Sequence, residues 1–300
     1  MSSVPSPTVS PVVTVAPPLA VGRVRRLLAL CARHRLLAFS AAVFLLLALV
    51  ALLAPYLLGD PRTIDPIRRL RPPSLDHWFG TDHLGRSVFD RTVYGTRVSL
   101  AVGVAAAVIT TVVGVSLGLL AGFLKRWDGV LMRFMDAVMA IPGVLLAIAL
   151  MSLLGSDLRT VIIAISIPEI PRMARLVRGQ TLAVRAQPYI QAAITNGARL
   201  PRLLLRHVLP NVAAAVLVQA TYVFASAMIL EAVLSFLGAG TPPEIPSWGN
   251  MLAEGRSYLQ RAPWMLAFPG ACLALLVLLV NVTGDAARDS LDPRLSRSIR

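Results

Sequence analysis

The sequence is poor in charged residues, and this shortage limits the kinds of protein it can encode. Only 15% of the 300 residues are charged, while 56% are hydrophobic. A soluble domain usually carries about 25% charged residues. The chain therefore has too little polar surface to cover a water-soluble globule, and its apolar residues fall in long runs. We expect the bilayer to be the solvent for much of it.

Lysine is nearly absent, which excludes one kind of ATP chemistry. Of the 29 basic residues only Lys125 is a lysine. A P-loop follows the pattern G-x-x-x-x-G-K-[ST], because its lysine must reach the terminal phosphates. The residues before Lys125, Gly122-Phe123-Leu124, do not form this pattern. We therefore expect no ATPase motif, no catalytic residue and no cofactor bound by this chain.

Cysteines, clustered histidines and aromatic residues are also few. Cys31 and Cys272 are expected at different depths, so a disulfide is not predicted. His77 and His83 lie near acidic residues, but their spacing matches no closed metal site. Basic stretches are not interleaved with aromatic residues that would stack on bases, so nucleic acid is not an expected partner.

Six apolar runs predict six membrane-spanning helices. Each is close to the roughly 20 residues that cross the hydrocarbon core, and lipid forces the backbone to bond within a helix. An even number of spans puts both termini on one side. The proposed spans are 36–58, 98–124, 130–154, 158–177, 210–235 and 264–283, and Pro142 is expected to kink the third.

The distribution of arginine predicts the orientation and the domain limits. With the N-terminus in the cytoplasm, 19 of the 29 basic residues fall on the inside, as the positive-inside rule requires. We divide the chain into a flexible basic tail (1–35), a membrane domain (36–284) and a cytoplasmic C-terminal tail (285–300). Membrane lipid is the expected surrounding partner.

Three acidic residues fall near the ends of the proposed spans. Asp136, Glu169 and Glu231 could relay protons or ions, as ionisable groups inside membranes often do. They could also line a translocation path. We prefer a third interpretation, in which each is hydrogen-bonded within the helix bundle near an interface.

The internal loop 178–209 contains a predicted short helix. Proline suits the first turn of a helix and glycine the position after its end, so Pro188 and Gly197 delimit a helix over about 188–196. Pro201 and Pro210 are predicted to open the next two helices. Small alanines on the short helix would seat closely in a groove of another protein. A helix resting on lipid headgroups is the alternative, and the residues alone leave both open.

This loop resembles a motif of ABC importer permeases. Gln191-Ala192-Ala193, then Gly197, then His207-Val208-Leu209-Pro210 is similar to the E-A-A…G…LP loop of that family. The resemblance implies that the helix is the coupling helix, which docks on an ATPase subunit. The coupling residues implied by the resemblance are Tyr189, Ile190, Gln191, Ala192, Ala193 and Gly197. Gln191 stands where the family has glutamate.

A second stretch narrows the resemblance to permeases for dipeptides, oligopeptides and nickel. Residues 79–87 are similar to their G-T-D-x-x-G-R-D segment, with Ser87 in place of the last aspartate. Further similar stretches are 175–179, 234–238, 246–249, 281–285 and 291–294. The external-loop motif residues are Gly80, Thr81, Asp82, Gly85 and Arg86.

The resemblance implies an all-α membrane protein with the six-helix type I ABC importer permease fold. It implies a "C"-type subunit in the bacterial inner membrane that forms half of a pathway for peptides or a related small solute. Its partners would be a "B"-type permease, an external substrate-binding protein and two ATP-binding subunits that hold ATP and Mg²⁺. The alternative is a stand-alone secondary transporter or channel.

Overall fold

The computed structural model describes residues 35–291, which are helical apart from connecting loops and one bridge between Thr81 and Ser87. The tail 1–34, with Cys31, and the last residues 292–300 lie outside this range. The helices, in chain order, are α1 (Arg35–Leu57), α2 (Val88–Phe123), α3 (Lys125–Met139), α4 (Gly143–Leu154), α5 (Leu158–Arg185), α6 (Pro188–Thr195), α7 (Leu200–Phe236), α8 (Trp248–Gly255) and α9 (Trp264–Leu291).

Helices occupy all six predicted spans, but length and composition support only four or five crossings within residues 35–291. The helices α1, α2, α7 and α9 are long and apolar enough to span. The pair α3 and α4 qualifies only when the two are joined, with a bend of 87° between them. The remaining helix, α5, has 28 residues but falls short because its predicted span includes Arg159, Glu169, Arg172 and Arg175.

One predicted boundary was wrong, and two predicted helix starts are joined into one helix. The helix α2 begins at Val88, ten residues before the predicted start, and Ser87 caps it by accepting a hydrogen bond from the Asp90 amide at 3.3 Å. Pro201 and Pro210 each lie in the first turn of an α-helical segment, as predicted, but the two segments, Leu200–Arg202 and Leu209–Phe236, are joined without a break in α7. Its segment Leu203–Val208 is a π-helix. The wider π turn shifts the hydrogen-bond register just before Pro210, a residue that has no N–H to donate.

The predicted kink at Pro142 is confirmed. Pro142 precedes the first residue of α4, and the chain turns by 87° between Met139 and Gly143. Proline disfavours helical geometry in the residue before it, so the helix ends ahead of it. The amphipathic helix α3 and the apolar helix α4 therefore point in nearly perpendicular directions.

The core depends on close packing between α2 and α5, the most extensive helix pair in the described chain. Gly114, Gly118 and Gly122 repeat every four residues along one face of α2. A Cβ added at Gly118 would lie 2.6 Å from the Ala174 carbonyl oxygen and 2.7 Å from the Val177 Cβ. Neither distance leaves room for a methyl group. In lipid, burial of apolar surface gives no driving force for helix association, because the lipid tails are themselves apolar. Close packing of this kind holds the helices together instead.

The α2–α5 pair also defines the two ends of the bundle. At one end, Arg185 donates a hydrogen bond to the Phe123 carbonyl at 2.7 Å, and its guanidinium lies 5.1 Å from the Phe123 ring centroid. The helix α6 follows at this end, which we call the α6 end. The loops before α2 and after α7 meet at the opposite end, which we call the loop end.

The glycine stripe leads to a stability prediction. Replacing Gly118 with alanine should lower the free energy of unfolding by about 1–3 kcal/mol, because the new methyl group forces the two helices apart. Thermal unfolding of the purified chain in mild detergent measures the change. Gly179→Ala on α5 is the matched control, since a Cβ there meets nothing within 4 Å. Equal stability of the two variants would contradict the packing argument.

Candidate functional sites at the two ends of the bundle

The short helix of the internal loop is confirmed as α6, and it ends one residue earlier than predicted. Pro188 occupies its first position. At its end the Ala198 amide donates to the Ala193 carbonyl at 3.0 Å, and Gly197 has a φ of +74°. This left-handed conformation is the usual reason for glycine after a helix. A Cβ at Gly197 would meet nothing within 4 Å. Glycine is therefore favoured here by the backbone conformation and not by a lack of space.

The six predicted coupling residues differ in exposure. Tyr189, Gln191 and Ala192 are exposed, Ala193 is half-buried, and Gly197 is exposed. Ile190 is different, because it is fully buried within this chain. It therefore anchors α6 to its own bundle. We expected Ile190 to contact another protein, but its side chain has no exposed surface for such a contact.

Gln191 has a specific local role. Its side-chain amide donates a hydrogen bond of 2.7 Å to the Arg185 carbonyl oxygen at the end of α5. A glutamate carboxylate has no proton to donate at neutral pH, so it could not form this bond. The amide at this position thus ties α6 to α5 through a contact that the family's acidic residue would lack.

A basic cleft of about 840 Å³ opens beside α6. Its lining includes Ala193, Asn196 and Gly197 from the last turn of helix α6 and the residues just after it. The turn that follows adds Arg199 and Arg202. Both arginines are exposed, and neither forms an ion pair within residues 35–291. The cleft therefore offers unpaired positive charge next to small side chains.

At the loop end, the external-loop motif forms a tight turn around Asp82. One Asp82 carboxylate oxygen accepts the amides of Leu84 at 2.8 Å and Arg86 at 2.9 Å. Gly85 has a φ of +81°, and a Cβ there would lie 1.8 Å from the Asp65 carbonyl oxygen. The turn therefore requires glycine for both backbone conformation and space.

The same aspartate belongs to a four-residue ion cluster. Its second oxygen accepts Arg86 Nε at 2.6 Å and Arg91 Nη1 at 2.8 Å. Both arginines also bind Glu254, which lies on α8: Arg86 Nη2 at 2.7 Å and Arg91 Nη1 at 2.6 Å. Arg91 and Asp82 are almost completely buried. The cluster thus joins the motif turn, α2 and α8 through charge-assisted bonds.

The electrostatics of the cluster favour ionised Asp82. Burial by itself raises the pKa of the Asp82 carboxyl, but the Arg86 and Arg91 guanidinium groups and two backbone amides outweigh it, so the pKa lies below its usual value. The same arginines disfavour a metal ion. Asp82, His83 and Glu254 bring ligand atoms within 4.8 Å of one another, yet the carboxylates already bind two cationic groups that would repel a cation.

Two tryptophans also stabilise the loop end. Trp248 is fully buried and donates to the Thr92 carbonyl at 2.9 Å, and Trp264 donates to the Thr81 carbonyl at 3.0 Å. Trp248 therefore lies inside the protein and not at a lipid interface. Both indole N–H groups connect α2 or its preceding turn to distant helices.

Three acidic residues named from the sequence are all bonded. Glu231 is buried, and one of its oxygens accepts the hydroxyls of Ser235 at 3.0 Å and Ser247 at 2.9 Å. Glu169 pairs with Arg172 at 2.9 Å. Asp136 pairs with Arg175. The contacts of Glu231 and Glu169, which are buried, agree with the interpretation that we preferred, in which each group is held within the bundle. Asp136 is exposed, so its ion pair lies at the surface and the prediction is wrong for this residue.

Sequence reasoning missed Arg91 and Glu254. They lie 163 residues apart, and Arg91 fell outside the predicted second span, which was placed from residue 98. Arg91 could have been found from its position one turn after Ser87, a residue type that caps helices and so predicts a helix start there. No local pattern points to Glu254, because its role depends on the fold.

Comparison with known proteins agrees with this geometry. Residues 114–297 match the family described as "Binding-protein-dependent transport system inner membrane component". The probable peptide ABC transporter permease protein y4tQ of Sinorhizobium fredii is 50% identical over 88% of this chain and 91% of its own. The oligopeptide transport system permease protein OppC of Bacillus subtilis is 41% identical over 88% of this chain and 87% of its own.

A solved structure supports the fold. A chain of the MetNI methionine ABC transporter, in an inward-facing conformation, superposes with a TM-score of 0.55. The match covers 70% of this chain and 96% of that chain, at 18% identity. The helical bundle therefore shares the fold of a chain of that ABC transporter.

The class of protein is an integral membrane subunit of a transporter. More closely, the chain belongs to the family of binding-protein-dependent transport system inner membrane components, and it is the permease component of an ABC importer.

The ion cluster leads to a second prediction. Asp82→Asn should lower the free energy of unfolding by about 3–5 kcal/mol at pH 7, because removal of one partner leaves buried positive charge uncompensated. The native pKa is lowered, so this contribution is complete above the unfolded pKa of about 4 and is lost as the pH falls below it. Chemical unfolding in detergent from pH 7 to pH 3 measures both effects.

The control for this prediction is Asp76→Asn. Asp76 is exposed on the same loop and forms no ion pair within the described residues. A variant of Asp82 that unfolds like the Asp76 variant at pH 7 would show that the cluster does not stabilise the loop end.

Proposed function

We propose that this chain forms half of the translocation pathway of an ATP-driven peptide importer. It would pair with a second, "B"-type permease, bind two ATP-binding subunits at the α6 end, and receive cargo from a substrate-binding protein at the loop end. In this arrangement the α6 end and both termini are cytoplasmic. ATP and Mg²⁺ would be held by the partner subunits.

The observation that carries the proposal is the geometry of α6. A helix of eight residues projects between α5 and α7, and it exposes Tyr189 and Ala192 while Ile190 anchors it from below. The Gln191 bond to Arg185 fixes α6 to the end of α5. A push on α6 by an ATPase subunit would therefore move α5 and, through its glycine contacts, α2. This chain's contribution to transport is mechanical.

Peptide cargo is supported by the relatives. Both relatives described above are named as peptide or oligopeptide permeases, and they align over nearly nine-tenths of this chain. In such importers the binding protein selects the cargo, so the permease supplies a pathway of suitable size. The same relatives, with the matching family of binding-protein-dependent transport components, favour an ABC importer over the alternative of an ion-driven secondary transporter.

Partner dependence tests the proposed function directly. The tagged chain, extracted from its own membranes in mild detergent, should bring with it a second permease, P-loop ATPases and a binding protein. The assembled complex in proteoliposomes should take up peptide only when ATP and the binding protein are both supplied. Uptake by the chain alone, driven by a proton or sodium gradient, would establish the secondary transporter instead.

A single exposed alanine tests the coupling role of α6. Ala192→Arg should reduce co-purification of the ATPase subunits at least tenfold, because a long charged side chain cannot enter a close helix–groove contact. Gly197→Asp should weaken docking as well, through the strained left-handed position. The matched control is Ala183→Arg, also exposed but on α5. Docking at wild-type levels in Ala192→Arg would place the ATPase contact elsewhere.

A further inference from the structure

The helix α3 carries an apolar face that no part of the described chain covers. Trp127, Val130 and Phe134 follow one another at spacings of three and four residues, so they share one face of the helix. Their side chains are 56%, 65% and 64% exposed. Nearby Met135 is buried, so only part of the helix packs on the bundle. A helix this amphipathic needs a second apolar surface against its outer face.

The opposite side of α3 is held to α5 by two ion pairs. Asp128 accepts Arg178 Nε at 2.5 Å and Arg178 Nη2 at 2.7 Å, and Asp136 pairs with Arg175. The aspartates lie eight residues apart, about 12 Å along α3, and the arginines three residues apart, about 4.5 Å along α5. The helix α3 therefore runs across α5 and not alongside it.

The position of this crossing places α3 near one membrane surface. Leu158, the first residue of α5, follows Ser156, which shares a cleft with the loop-end residues Gly240 and Thr241. Arg178 lies 20 residues further along, about 30 Å away, which is the thickness of the hydrocarbon core. The bend of 87° before α4 agrees with a helix that lies along the surface at the α6 end.

The charged residues on α3 indicate which kind of surface covers its apolar face. Lys125, Arg126 and Arg133 are exposed, and none forms an ion pair within the described residues, because the two aspartates of α3 bind α5 instead. Arg126 and Arg133, seven residues apart, share a face that borders the apolar one. Basic residues beside an apolar face that contains tryptophan are typical of helices bound in the interface of an anionic membrane.

We propose that α3 is an interfacial helix that binds anionic phospholipid at the cytoplasmic leaflet. Trp127, Val130 and Phe134 insert among the acyl chains, while Lys125, Arg126 and Arg133 bind lipid phosphate groups. Because Arg175 and Arg178 connect α3 to α5, and α5 leads into α6, bound lipid restrains the same helix that the ATPase is proposed to move. The leaflet assignment rests on the orientation given under the proposed function.

Fluorescence quenching tests this proposal on the assembled complex. The tagged chain with its co-purifying subunits is placed in nanodiscs of phosphatidylcholine that contain an equal fraction of brominated phosphatidylcholine or brominated phosphatidylglycerol. The emission of Trp127 is obtained by subtracting the spectrum of Trp127→Phe. We expect brominated phosphatidylglycerol to quench this emission at least twofold more strongly than brominated phosphatidylcholine.

A charge-matched pair of variants gives the control. Lys125→Gln/Arg126→Gln/Arg133→Gln should remove the preference for phosphatidylglycerol while Trp127 stays quenched. Arg199→Gln/Arg202→Gln/Arg206→Gln removes the same charge from exposed positions at the α6 end and should retain the preference. Gel filtration confirms that each complex is assembled.

Two results would overturn the proposal. Equal quenching of wild-type Trp127 by the two lipids would show contact with lipid but no selection for negative charge. Absence of quenching by either lipid would show that a partner subunit covers α3. Loss of ATPase co-purification would contradict the proposed function instead. The quenching of Trp127 by the two lipids could still be measured on this chain without the ATPase subunits.

Discussion

The close packing of α2 against α5 sets the framework for the other helices of the bundle. Gly114, Gly118 and Gly122 bring the two backbones so near that no Cβ fits between them. In lipid the hydrophobic effect does not hold helices together, so shape complementarity and interhelical bonds must do so. With these two helices fixed, α4 and α7 pack around α5, and α1 and α9 complete the outer side of the bundle.

The two ends of this helix pair are fixed by different interactions. At the loop end, buried charges and tryptophan N–H groups connect the motif turn to α2, α8 and α9, including the bond from Trp264 to Thr81. At the α6 end, the ion pairs of Asp128 and Asp136 are more exposed, and α6 is joined to α5 by the side chain of Gln191. Exposed pairs contribute little to stability, so this end is the easier one to rearrange.

This asymmetry suits a subunit that is moved from one side. Loop-end contacts among Asp82, Arg91 and Glu254 hold the surface of the loop end in one arrangement, as the proposed docking of a substrate-binding protein would require. The α6 end offers a short helix, a basic cleft and the crossing helix α3, all connected to α5. Motion imposed on α6 would then reach the bundle through α5, with its restraint set by how firmly α3 is held in the membrane.

The sequence alone predicts the helical membrane class, the approximate positions of the apolar helices, the short helix of the internal loop and the family. These follow from local properties: apolar runs, proline and glycine positions, and motif spacing. It did not determine the early start of α2, the continuity of α7 or the burial of Ile190, because each depends on what packs nearby. The sequence also does not predict that Arg91 pairs with Glu254 or that α3 runs across α5. These contacts form only in the tertiary structure, since residues on different helices share no sequence periodicity that would place them side by side.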